Sequence, residues 1–328
     1  MNRARLAASA AESIGTRIGE PAAARLPDGC PIHLFVCPVS LTPGCLPPPG
    51  RMPCRIAAGA ALDRETAREL CLLEAIERFS LQYADGDPDQ MASAPVSGAR
   101  QAVLAAAQLR LGHPAQLTGG PVADSRGCSV GADLEDAALR GLLELIEHDA
   151  LAGWWSGEVS FRRVELGGLD RSLDQLQAWL MARRLQLQLL EHRHRSGALV
   201  YVCACTDADG RRPATGCAAG LNPMRTAAHA CVEAVVALFN MAEIERRGPD
   251  MANLPGDARH DLEVYRGLRP LPGLHRAKAD ADVPAADGSS SDRATAFKRL
   301  AEQWDVDVAV FDLSRPATGI TTGRVVRV

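Results

Sequence analysis

The chain has 328 residues, enough for two ordinary domains or one large α/β body. Hydrophobic residues make up 47%, too many for a disordered protein, and no apolar run approaches the roughly 20 residues needed to span a bilayer. The net charge of −4 argues against nonspecific binding to nucleic acid.

The opening residues, Met1 to Ser13, lack the continuous apolar stretch of a secretory signal, so a cytoplasmic protein is expected. In that setting the ten cysteines read as reduced thiols rather than a disulfide scaffold. Cys30, Cys37, Cys45 and Cys54 cluster without the paired spacing of a zinc knuckle. No G-x-x-x-x-G-K-[ST] run occurs, which excludes a phosphate-loop lysine.

Pro31–Pro38 reads as a short strand between prolines, and Thr42–Pro53, rich in proline, as a loop. Asp63 is the expected N-cap of a helix reaching about Tyr83, with Glu65 in its first turn. Gly86–Pro95 is predicted as a loop and Ser97–Leu111 as a helix. After a glycine-bearing segment, Asp133 or a neighbour opens a helix to about Trp155. Leu176–Leu185 is predicted helical, and Gln186–Glu191 and Leu199–Cys205 as strands, the second placing Cys203 and Cys205 on one buried face. Asp207–Gly210 signals a turn, and Asn222-Pro223 opens a helix to about Arg247. Ala277–Arg293, small, polar and acidic, reads as a flexible surface loop. Ala294–Gln303 and Val306–Phe311 are the last predicted helix and strand. This alternation favours a mixed α/β body.

Three of these helices set acids among apolar residues. Glu74 and Glu77 lie three apart in the first, Glu144 and Glu147 three apart in the second, and Glu233 stands in the apolar run Ala230–Phe239 of the third. Spacing of three puts each pair on one helix face. Adjacent half-buried carboxylates repel and lose hydration, so a cation should offset them. Arginines are one answer; a hard divalent ion with oxygen ligands is the other. Spacing alone leaves solvent-facing, arginine-paired acids as the simpler account.

Other residues carry weaker signals. Trp154 and Trp155 close an amphipathic helix and read as core. His192 and His194, with no carboxylate at matching spacing, read as surface residues. No Ser or Cys sits in a recognisable nucleophile elbow.

Several segments together resemble the YcaO superfamily. Gly59 to Phe79 is similar to the segment in which a Gly-Lys-Gly turn precedes S-A-x-x-E-x-x-E-R. Ser125-Arg-Gly-Cys-Ser-Val-Gly131 with Leu142–Trp155 resembles S-N-G-x-A-x-G-N and its L-x-E-x-x-E-x-D-A helix. Gly216-Cys217 with Ala230–Val236 resembles R-A-L-T-E-x-x-Q. Ile14–Arg17, Leu26–Pro31 and Asp312–Val328 match the usual opening and closing, so the resemblance runs from about Ile14 to Val328 in order, nearest the group that works beside TfuA proteins.

The resemblance implies an α/β (mixed α+β) fold over residues 14–328, after an extension over 1–13. In it, mixed sheets pack with three acidic helices around a central nucleotide cleft. It implies ATP and Mg2+ as cofactors, with Glu74, Glu77, Glu144, Glu147 and Glu233 as metal ligands. Glu74, Glu77, Arg78, Ser125, Arg126, Gly127, Glu144, Glu147 and Glu233 would hold the nucleotide. The implied activity is phosphorylation of a backbone amide oxygen in a ribosomally made peptide or protein, giving an azoline or a thioamide.

Departures from the pattern fall at Ala60 for lysine, Leu70 for serine, Arg126 and Ala132 for asparagine, Val236 for glutamine and His229 for arginine. They support a second expectation, a non-catalytic paralogue that scaffolds an active enzyme or presents its peptide. The sequence ends at Val328, where the family pattern continues into a proline-rich tail, and no fused leader-binding domain is expected before the opening segment. The expected partners are therefore a precursor peptide and a separate TfuA-like or E1-like protein, with a homodimer left open.

Overall fold

Capping residues set where the long helices begin. The computed structural model describes residues 12, 15–46, 56–167, 170–251, 254, 256–271, 278–281 and 292–328. Asp63 accepts the Thr66 N–H and starts α1 (Arg64–Leu81); Asp133 accepts the Asp136 N–H at 2.8 Å and starts α3 (Leu134–Ser156). Asp170 caps α4 (Arg171–Met181), and Asn222, followed by a proline at the first helical position, caps α5 (Pro223–Arg247). Between the first two lie a one-turn helix, α2 (Ala106–Leu109), and a short 3-10 helix, Pro114–Thr118. The remaining helices are α6 (Gly256–Tyr265) and α7 (Arg293–Trp304).

The chain divides into two compact units. The first comprises Met1–Ala24, Leu34–Leu145 and Ser290–Val328. It holds a sheet ordered β1 (Ala22–Ala23), β2 (His33–Pro38), β3 (Ile56–Ala61), a two-stranded ribbon of β4 (Gln90–Ala92) and β5 (Val103–Ala105), and a sheet ordered β12 (Val308–Asp312), β13 (Thr321–Arg327), β6 (Cys128–Gly131). Helix α1 packs on β3, β6 and β13. Its buried stripe, Cys71, Leu72, Ala75, Ile76 and Phe79, shares a core with Phe35, Val39 and Val130. Burying a side chain such as Ile76 or Phe79 stabilises the fold by about 1.5–3 kcal/mol.

A charged knot closes the C-terminal end of α1. Asp87, 8% exposed, takes Arg315 Nη2 at 2.9 Å and lies 3.3 Å from Arg110 Nε. The same arginines donate to the Ser80 and Gln82 carbonyls, acceptors that a helix terminus leaves open. Burial alone would raise the Asp87 pKa; the Arg315 hydrogen bonds and the Arg110 charge outweigh it and hold the carboxyl below its ordinary value. Arg110 drops to about 10, through burial and then the Arg315 charge.

The second unit comprises Arg25–His33 and Ile146–Ser289, and helix α3 contributes residues to both units. Its sheet is ordered β10 (Ala214–Gly220), β9 (Leu199–Asp207), β8 (Leu185–Arg193), β7 (Arg162–Val164), β11 (Lys278–Ala281). Among the first four each strand is antiparallel to its neighbour, and β11 pairs parallel with β7. Strand β9 is buried along nearly its whole length, with Cys203 and Cys205 inaccessible as expected, and α5 packs across β9 and β10. Among the described residues α5 alone is long and apolar enough to cross a membrane by length and composition, but its buried stripe covers this sheet.

Three predicted elements change type, the first being Gly86–Pro95, expected as a loop, which contains β4. Ser97–Leu111 contains β5 and the short α2 instead of one helix, because Val103–Ala105 pair with β4. Helix α4 starts five residues before Leu176 at its Asp170 cap, and Leu185 already belongs to β8. Within Ala277–Arg293, Lys278–Ala281 form the edge strand β11, since a sheet edge offers the hydrogen bonds that composition does not reveal. Residues 282–291, Cys54, residues 47–53, and the 1–13 extension apart from Glu12 lie outside the described residues.

Candidate functional site

Two strand-to-helix contacts place the acids. Gly59 of β3 lies where an added Cβ would come within 2.1 Å of the Cys71 nitrogen and 2.4 Å of the Ala67 oxygen, so α1 can rest on the strand only because glycine is there. Gly216 of β10 does the same for α5, at 2.3 Å from the Ala234 nitrogen and 2.4 Å from the Ala230 oxygen. The acids Glu74 and Glu77 follow the first contact by about one and nearly two turns, and Glu233 sits at the second.

In the first unit, Glu74, Glu77 and Glu144 are half-buried neighbours. Burial pushes the Glu77 carboxyl well above its ordinary range, the Glu74 and Glu144 charges push it further, and Arg78 pulls against them. Cys128 shares this environment: burial, then Glu77, raises its thiol, so it is no thiolate nucleophile. Arg78 is already engaged, its Nε 2.6 Å from Glu74 Oε1 and its Nη1 on the Ile56 carbonyl.

The Ser125–Arg126–Gly127 turn is built against β13. Gly127, at φ +73°, passes so close that a Cβ would meet the Val325 oxygen at 2.2 Å. Ser125 is exposed and its carbonyl accepts the Cys128 N–H at 3.1 Å. Arg126 folds back on Asp124, with Nε 2.6 Å from Oδ2, and Arg324 shares that carboxylate at 3.3 Å.

In the second unit, Glu147 and Glu233 converge on β10. Glu147 Oε2 accepts the Ala219 N–H at 3.2 Å and Glu233 Oε2 the Cys217 N–H at 3.3 Å. Residues two apart in a strand direct their N–H groups to the same side, and here it is the side that β9 does not use. The other oxygen of Glu233 lies 3.1 Å from His229 Nε2, one turn earlier on α5. Burial opposes protonation of His229, but Glu233 outweighs it and raises its pKa. Burial, then Glu147 and Glu233, raises the Cys217 thiol.

Sequence reasoning passed over His229 as a site residue, although a His four residues before a Glu on one helix is a readable pair. It also placed His194 on the surface. The side chain is buried, with Nε2 3.1 Å from Asp149 Oδ2 and Nδ1 2.9 Å from Ser196 Oγ, because the hairpin between β8 and β9 folds it inward. The Ser-His-Asp order has no catalytic meaning here, since Ser196 is wholly inaccessible. Trp154 is core as expected, while Trp155 is half-buried edge-on to His260.

Among the described residues no three Asp, Glu, His or Cys side chains form a metal cage by themselves. The all-oxygen donor set nonetheless fits magnesium, which keeps waters and substrate oxygens and needs only one or two carboxylates. The desolvated Glu77 beside two further carboxylates is the feature that a divalent ion would relieve.

Fold and site thus define a mixed α+β protein whose helices present carboxylates suited to a hard cation. The model of the family described as YcaO cyclodehydratase, ATP- and Mg2+-binding, matches residues 112–327, and the chain belongs to the YcaO family. No curated protein sequence matched. Among solved structures, a heterocyclase in complex with substrate and cofactor is similar with a TM-score of 0.72 at 17% identity, over 100% of this chain and 52% of that one. YcaO from Methanopyrus kandleri bound with AMPPCP and Mg2+ gives 0.69 at 17% identity, over 99% and 90%. The E. coli microcin synthetase McbBCD complex with pro-MccB17 bound gives 0.66 at 12%, over 94% and 87%. At these identities the likeness is one of fold.

Proposed function

We propose that this chain uses ATP and Mg2+ to activate a backbone amide of a peptide or protein, with Glu74, Glu77, Glu144, Glu147 and Glu233 as its metal-binding carboxylates. The observation that carries this reading is Glu77, a carboxyl desolvated beside Glu74 and Glu144. The nucleotide, when bound, supplies the phosphoryl group that converts an amide oxygen, a poor leaving group, into phosphate. A Cys, Ser or Thr side chain of the substrate would then bond to the activated amide carbon, with phosphate expelled and its own proton lost, to close an azoline; external sulfide would expel phosphate in the same way to give a thioamide.

The chain's own residues orient and balance charge. Glu147 and Glu233 are fixed in direction by the β10 N–H groups. Arg78 can exchange Glu74 for a phosphate oxygen, since its fork suits either. Ser125, Arg126 and Gly127 are assigned to the nucleotide on the same reading. The substrate would be a precursor peptide brought by a separate TfuA-like or E1-like partner in the cytoplasm.

A second reading, a scaffold without catalysis, is favoured by one observation. Arg78 and Arg126 are both committed to carboxylates, while Ala60, Leu70, Ala132 and Val236 offer no polar side chain at positions where the family pattern has one. Calorimetric titration of ATP with magnesium into the purified chain, beside a Glu74→Gln/Glu144→Gln control, separates the two. Magnesium-dependent binding lost in the control supports the enzyme. Folded protein that ignores millimolar nucleotide leaves the scaffold.

A further inference from the structure

The second unit contains a cleft of about 1100 Å³ that the carboxylate site does not use. Among the described residues its lining includes six arginines, Arg163, Arg211, Arg212, Arg246, Arg266 and Arg269, against a single acid, Glu245. Arg246 lies almost four turns beyond Glu233 on α5, about 20 Å along the axis, so this is a different place on the unit.

Part of that positive charge has a local explanation. Arg246 grips Glu243 through two hydrogen bonds of 2.7 Å, Arg266 binds Glu245 at 2.7 Å, and Arg269 lies 3.2 Å from Glu263. Cations near the ends of α5 and α6 also suit the helix dipoles. Arg211 and Arg212 fall outside this account. They stand on the connection between β9 and β10, and among the described residues neither side chain forms an ion pair. Asp207 fixes that connection by accepting the Asp209 and Arg211 N–H groups at 3.1 and 2.7 Å. Arg212 is held there at φ +50°, a conformation that side-chain-bearing residues rarely adopt. The chain therefore keeps two exposed guanidinium groups, one of them carried on a left-handed backbone, on the wall of an already arginine-rich cleft.

We propose that this cleft binds an acidic peptide segment, with Arg211 and Arg212 taking its Asp or Glu carboxylates. Three neighbouring arginines already hold carboxylates, so the wall is shaped for that group. Pro213, Val264, Tyr265 and Leu271 supply apolar surface between the charges, as a peptide with mixed side chains requires. The volume exceeds the usual small-molecule range. A single-stranded nucleic acid would need aromatic stacking platforms, and among the described residues Tyr265, itself 7% exposed, is the one aromatic in the lining. The inference holds for the enzyme and scaffold readings alike, because it involves none of the carboxylate-site residues.

The test is fluorescence anisotropy on the full chain at low salt, with a labelled, amidated peptide of about ten alternating Glu and Leu residues. Its Glu-to-Gln counterpart and an oligothymidylate of similar length serve as comparators. The Glu peptide should bind about tenfold tighter than the Gln peptide and weaken as salt rises. Arg211→Gln/Arg212→Asn should lose about fivefold or more, and Asn tolerates the left-handed backbone at 212. Arg269→Gln, elsewhere on the wall, gives a second reading if that pair perturbs folding. Equal binding of the two peptides, unchanged binding by both variants, or tighter binding of the oligothymidylate would overturn the proposal.

Discussion

Glu74 accepts a hydrogen bond from Arg78 Nε at 2.6 Å, one turn along the same helix. The arginine therefore stands where a metal ion would compete for the same oxygen. Arg78→Gln should enlarge the rise in melting temperature that Mg2+ alone produces, because the carboxylate is released. The pair is about 30% exposed, so the change in apparent magnesium affinity should be only a few-fold. An identical magnesium response in variant and parent would remove Glu74 from the ligand set.

Glu77 makes a pH-dependent prediction. Its folded pKa is raised, so its contribution favours the folded state below the unfolded value near 4.5 and is lost as pH rises through the raised one. Glu77→Gln should therefore stabilise the metal-free chain at pH 8 and leave it unchanged at pH 4. Every tenfold excess in proton affinity that the substitution removes is worth about 1.4 kcal/mol, or roughly 2–4 °C in Tm. Saturating magnesium and nucleotide should abolish the gain. A gain of equal size at both pH values would show that desolvated charge is not its source.

Asp87 gives the opposite sign. Its folded pKa is depressed by Arg315 and Arg110, so the stability it contributes is present above the unfolded value and disappears as pH falls through the folded one. Asp87→Asn leaves two buried arginines without their anion and should cost about 3–5 kcal/mol at neutral pH. Denaturant melts of variant and parent should converge on acidification below about pH 4. Parallel curves down to acid pH would contradict the assignment.

Gly216→Ala tests the contact of α5 on β10. The added methyl meets backbone atoms, which cannot rotate away, and overpacking of this kind costs about 1–3 kcal/mol or more. Loss of the Cys217–Glu233 hydrogen bond should accompany it, visible as faster amide exchange at Cys217. Unaltered exchange and melting would mean that the strand can retreat.

The parts legible from sequence were those governed by local chemistry. Asp63, Asp133 and Asn222 announced their helices, and the β-branched and cysteine run Leu199–Cys205 announced a buried strand. The acids were visible as charges in apolar helices. Hidden were elements defined by distant partners: β5 by β4, β11 by β7, and the inward turn of His194 toward Asp149. The Asp87 knot joins residues more than 200 positions apart and leaves no periodic trace. The backbone donors of β10 were equally silent, because a free strand edge is a property of the sheet.

That edge has a further consequence. An open outer strand is a template for strand addition and aggregation, and natural proteins blunt such edges with charge or cover. Glu147 and Glu233 occupy two of the outward N–H groups of β10, which leaves fewer donors open to an added strand. Replacing either by Ala would bare the strand as well as remove a carboxylate, and a precipitating variant could pass for an inactive one. Gln keeps the accepting oxygen and discards only the charge, which makes it the substitution that separates chemistry from solubility.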